Sequence, residues 1–188
     1  MSPSASLIDR IESLPRRELY FFALYRVLIA AVIAALLFSP LATLVGESPH
    51  PKLAAVVSGA YLGLSLLILV TGRSERWLRP IVVGSVAVDI LATTLLAHAL
   101  PGASAGLSMA LLFNIAAAAT LLPLSLGLCL ALGAAAATAG EYTWNLLENG
   151  DANRTLAELA MFITSYLALA FVSYQVGNRA RRNQQLAN

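Results

Sequence analysis

The chain has 188 residues, 59% of them hydrophobic and 12% charged, with a formal charge of +2 and a mean hydropathy of +0.76. A soluble domain carries about a quarter of its residues charged, and half that share leaves too little polar cover for water, so lipid is the expected solvent. So small a net charge argues against nucleic acid as a partner, and a single cysteine, Cys129 inside an apolar run, rules out disulfide frameworks and zinc clusters.

The N-terminal segment holds acidic residues and a proline ahead of an apolar run too long for a cleaved secretory signal, so that run is read as a membrane span. A crossing helix needs roughly 20 mainly apolar residues. Six stretches supply them: Leu19 to Val45, Leu53 to Thr71, Pro80 to Ala99, Gly106 to Leu122, Leu124 to Trp144 and Leu156 to Gly177. Pro40 is expected to kink or shorten the outer end of the first, and only Pro123 divides the fourth from the fifth.

Direction follows from the connectors, because short cytoplasmic segments carry the excess of Lys and Arg. Arg10, Arg16, Arg17 and Arg26 precede the apolar part of the first span, Arg73, Arg76 and Arg79 lie between the second and third, and Arg179, Arg181 and Arg182 follow the sixth. The other three connectors hold one Lys, no charge, and one Arg with two acids. The expected fold is therefore an all-α membrane protein, a bundle of six transmembrane helices with both termini cytoplasmic. Residues 1–18 form a cytoplasmic segment, 19–177 the membrane domain, and 178–188 the start of a helix leaving the bilayer. Trp77 on the inner side and Tyr142 and Trp144 on the outer side fall at headgroup depth. The outward connectors are too short to build a folded domain that captures a soluble ligand.

Polar residues inside the spans are the candidate site. Asp89 lies near the midplane, where a carboxylate must stay protonated or find a donor. Ser85 and Thr93 share its helix face, and Asn114, at similar depth in the returning fourth span, is its expected partner. Three roles remain open for Asp89 and Asn114: an interhelical clasp, a site that senses a signal or partner, and proton or ion conduction. His98 is turned half a revolution from Asp89 and lies at the depth of Glu141, either as a solvated interfacial imidazole, in contact with Glu141, or as a pH sensor. Asp89, His98 and Glu141 have no metal-ligand spacing, so no metal is expected. Arg26 reads as a snorkelling anchor at the inner headgroups, with a specific lipid or partner contact as the alternative. The fifth span is rich in small residues, pairing Gly127 with Ala131, Gly133 with Ala137 and Ala136 with Gly140. Such pairs let helices approach closely, either within this bundle or with a second copy or a foreign helix. No nucleophile and base pair, phosphate loop or metal motif appears, so neither catalysis nor a cofactor is expected of these residues.

The order of features resembles the N-terminal membrane region of PilS-type sensor histidine kinases, which regulate type IV pilin transcription with a cognate response regulator. The similarity is carried by LYRVLIAA at Leu24 to Ala31, VDILATTLLAH at Val88 to His98, PGASAGLSMALLFNIAAAATLL at Pro101 to Leu122, and the sixth span followed by Arg179 to Arg182. His98 does not match the family's phosphoacceptor motif. The resemblance implies a sensor input in the bacterial inner membrane that responds to a pilin transmembrane helix, works as a homodimer and passes its state through its last helix. It also implies that ATP and the response regulator belong to a kinase region these residues do not include. Two other readings compete with it: a small transporter or channel using Asp89 and Asn114 at midplane, and a structural assembly subunit.

Overall fold

The structure, a computed structural model, describes residues 3–39, 48–71, 78–150 and 154–186, with side-chain surroundings for 20–39, 48–70, 80–150 and 154–179. The described residues form six α-helices and no strand: α1 Pro3–Phe38, α2 Pro51–Thr71, α3 Leu78–Ala99, α4 Ser104–Leu121, α5 Leu124–Asn149 and α6 Leu156–Leu186. Each contains a stretch long and apolar enough to cross a bilayer, which makes the chain a multi-pass membrane protein.

Local chemistry explains the breaks. α1 stops at Phe38, short of the expected run to Val45, because Pro40 disfavours helical backbone at the residue before it. Residues 40–47, along with Arg73, Arg76 and Trp77, lie outside the described residues. Pro123 does the same at the expected boundary between fourth and fifth spans. It pushes Leu122 to φ −99°, ψ 159° and itself stands extended at ψ 153°, so one apolar stretch becomes two helices. Gly150 closes α5 in the left-handed region, φ 70°, and its N–H reaches Leu146 O at 3.1 Å. α6 opens on a capping box: Glu158 N–H donates to Thr155 Oγ1 at 3.2 Å, and Thr155 N–H donates back to Glu158 Oε2 at 3.1 Å.

Packing divides the bundle into two groups of three. α1 packs on α2 and α2 on α3, while α6 packs on both α4 and α5; α3 joins the groups by lying against α4 and α5. The main core sits at that junction, where Val82, Val86, Ile115, Ala131, Ala134 and Tyr166 are fully or almost fully covered. The many exposed Leu, Val and Phe side chains on the outside are the lipid-facing surface expected of membrane helices.

Candidate functional site

Two buried polar networks interrupt the apolar interior. The deeper one joins α1, α2 and α3. Arg26, 1% exposed, sends its Nε to Asp89 Oδ1 at 2.9 Å and its Nη2 to within 2.7 Å of the same oxygen. Tyr61 adds its hydroxyl to that oxygen at 2.9 Å, and the Arg26 guanidinium lies 5.9 Å from the ring centres of both Phe22 and Tyr61. On α2, Ser65 donates back to Tyr61 O at 2.7 Å.

The convergence is lopsided. All three contacts meet at Oδ1, while Asp89 Oδ2 and Arg26 Nη1 are buried without a hydrogen-bond partner and Arg26 Nη2 makes its ion-pair contact without a hydrogen bond. A guanidinium in the bilayer core costs about 2.5–3.5 kcal/mol on insertion scales, and its pairing with a carboxylate offsets that cost by cancelling the net charge. The unused oxygen and nitrogen leave the pair able to adopt a second hydrogen-bonding arrangement without leaving each other.

This geometry corrects two expectations. Arg26 is no snorkelling anchor: its head turns inward to Asp89, because an unpaired carboxylate at that depth is costlier than burying the arginine beside it. Asn114 is buried on α4 but does not bond to Asp89, and its Oδ1 has no partner. Depth alone matched Asp89 to Asn114; the rotation of α3 presents the carboxylate to α1 and α2 instead. Neither Ser85 nor Thr93 joins the cluster; Ser85 donates to Val82 O at 2.8 Å on its own helix.

The second network lies toward the end of the bundle that carries His98. Arg154, just before α6, is buried with Nη1 on Ser108 Oγ and Nη2 on Ser104 O, both at 2.7 Å, and it lies 5.6 Å from the ring centre of Phe162. Tyr166 donates to Ser108 O at 3.3 Å. These contacts bind the start of α6 to the start of α4. Glu141 on α5 is buried and accepts from Asn145, with Arg154 and His98 both near enough to act on its charge. No hydrogen bond or ion pair joins His98 to Glu141 among the described residues; His98 instead faces His50 and the edge of Trp144.

The small residues of α5 fall on two faces. A Cβ on Gly127 would sit 3.5 Å from Ala119 Cβ, so Gly127 packs on α4, and Ala131, one turn on, is fully buried inside the bundle. Gly133 meets only Ile90 Cδ1, at 3.8 Å, and Gly140 meets nothing; both lie on the exposed side. The tightest approach is one the sequence reading did not single out. A Cβ on Gly177 would lie 2.9 Å from the Thr120 carbonyl oxygen, which places the α4 and α6 backbones in contact.

Among known proteins, the family described as a PilS-like transmembrane domain matches residues 9–187. No curated protein and no solved structure matches the chain.

Proposed function

The chain belongs to the PilS-like transmembrane domain family, and from that membership we propose that it is the membrane-embedded input domain of a sensor histidine kinase. The observation that carries the mechanism is the Arg26–Asp89–Tyr61 cluster, which binds three helices through one carboxylate oxygen. In this reading a partner held in the same bilayer, a pilin helix as the family implies, presses on the α1 to α3 group. The cluster exchanges one hydrogen-bonding arrangement for another, and α3 hands the shift to α4 and α5. α6 packs on both and carries it out along its final residues, which end at Leu186. A homodimer in the bacterial inner membrane is the working assembly, and the response regulator and ATP act on the kinase region downstream.

The arginine end of the bundle faces the cytoplasm, as do both termini. In a Cys129→Ser background, a cysteine placed at position 76 is expected to resist membrane-impermeant maleimide in intact cells and to react after permeabilisation. Labelling in intact cells reverses the orientation.

The mechanism is tested by fusing the chain to the kinase region of a related sensor. Exchanging hydrogen-bonding arrangements in a membrane is worth roughly 1–2 kcal/mol, so Asp89→Asn is expected to move basal autophosphorylation about tenfold. Unchanged basal output and unchanged partner response, at normal expression, sink the proposal. The transporter reading needs a carboxylate free to exchange its cargo, whereas Arg26 and Tyr61 both engage Asp89 Oδ1. Asp89-dependent flux in liposomes would put that reading first.

A further inference from the structure

The paired histidines at the His98 end make no hydrogen bond to either buried network. His50 stands just before α2, exposed, with its carbonyl accepting from Ala54 N–H at 3.1 Å; His98 lies in the last turn of α3. Ser48 Oγ donates to Ala99 O at 2.7 Å, tethering the two segments beside the rings. The ring centres are 5.4 Å apart.

That spacing has a chemical meaning. An ion bonded to an imidazole nitrogen at about 2.0–2.1 Å sits about 3.2 Å from the ring centre, so two imidazoles on one tetrahedral ion stand about 5.2 Å apart. We propose that His50 and His98 bind a late first-row divalent cation, Zn2+ or Cu2+, with water completing its coordination. Neutral imidazole is the protein ligand best suited to these ions. The rings are stacked, their planes inclined by 21°, and the broad torsion that turns an imidazole about its Cβ–Cγ bond lets each turn out of the stack and aim a nitrogen at the shared position. A carboxylate at this end favours a cation: Glu148, which accepts from Trp144 Nε1 at 2.8 Å beside His98. No group of three His, Cys, Asp or Glu residues suited to a metal occurs among the described residues. The protein thus supplies two ligands, fewer than the four of a structural zinc site, and the ion exchanges readily. When bound, it clamps the start of α2 to the end of α3.

Trp144, its ring centre 6.3 Å from that of His98, is a built-in reporter, because Cu2+ quenches indole emission at short range. The experiment uses the full chain without a polyhistidine tag, in detergent micelles, with Trp77→Phe to leave Trp144 as the one indole. Cu2+ is expected to quench it saturably at one ion per chain, with Zn2+ competing. His50→Gln and His98→Gln are each expected to weaken binding about tenfold or more, since even outer partners of metal ligands are worth that much. His50 is exposed, so its variant keeps the fold and the test can stand on it alone. Quenching that never saturates, or a curve unchanged in either histidine variant, marks an adventitious ion only and overturns the site.

Discussion

Replacing Arg26 with leucine is expected to lower the stability of the bundle by about 3–5 kcal/mol, because it strands the Asp89 carboxylate in an apolar interior. Asp89→Leu is expected to do comparable harm by stranding the guanidinium. The double variant Arg26→Leu with Asp89→Leu is expected to be more stable than either single one, since it removes both charges and leaves only a packing change. Tyr61 then loses its acceptor, so recovery should be incomplete. Thermal or denaturant unfolding in detergent measures all three. Additive losses in the double variant would mean that the two residues act independently and that the buried pair does not hold α1 to α3.

Gly177→Val is expected to force α4 and α6 apart where α6 approaches the end of its span. The added Cβ would lie 2.9 Å from the Thr120 carbonyl oxygen and 3.2 Å from its Cα, and backbone atoms cannot swing aside as a side chain does. Overpacking of this kind costs about 1–3 kcal/mol. Its larger consequence is on output, because the displaced segment leads directly into residues 178–188. In a kinase fusion, Gly177→Val is expected to fix basal activity at one level and abolish the response to a partner, while Gly140→Val, whose Cβ meets no atom within 4 Å, leaves basal activity near that of the parent. Spin labels on α4 and α6 near residues 120 and 177 should report the added separation. A normal response in the Gly177 variant would remove α4 from the transmission path.

The six spans were legible because each is a long apolar run, and the divider between α4 and α5 because proline constrains its predecessor. The capping box at Thr155 and Glu158 could also have been read directly, as T-x-x-E before an apolar run. The demand of Asp89 for a partner was legible too. Its identity was not, because sequence gives depth along a helix but not the angle at which helices face each other. Charge matching held the missing signal: Arg26 is the one basic residue set well inside an apolar span. Gly177 was hidden for a related reason. The small residues Ala170, Ser173 and Gly177 follow one another at helical spacings of three and four, but the crowded alanines of the fifth span drew attention from them. The second network was harder to see, since Arg154 sits in a short connector where an arginine ordinarily meets water or headgroups.

The long reach of the Arg26–Asp89 pair bears on how the protein is made. Arg26 is synthesised 63 residues ahead of Asp89, so α1 enters the translocon with its guanidinium unmatched. It can do so because its span is the most apolar of the six. Leu, Ile, Val and Phe each return about 0.3–0.6 kcal/mol on insertion, and together they outweigh the arginine. Until α3 arrives, however, α1 has no charged partner and rests against α2 alone. Biogenesis is thereby ordered, with the first hairpin provisional and the third helix locking it. A nascent chain halted before residue 89 displays an open charge inside the bilayer, the kind of flaw by which membrane quality control recognises an unfinished protein.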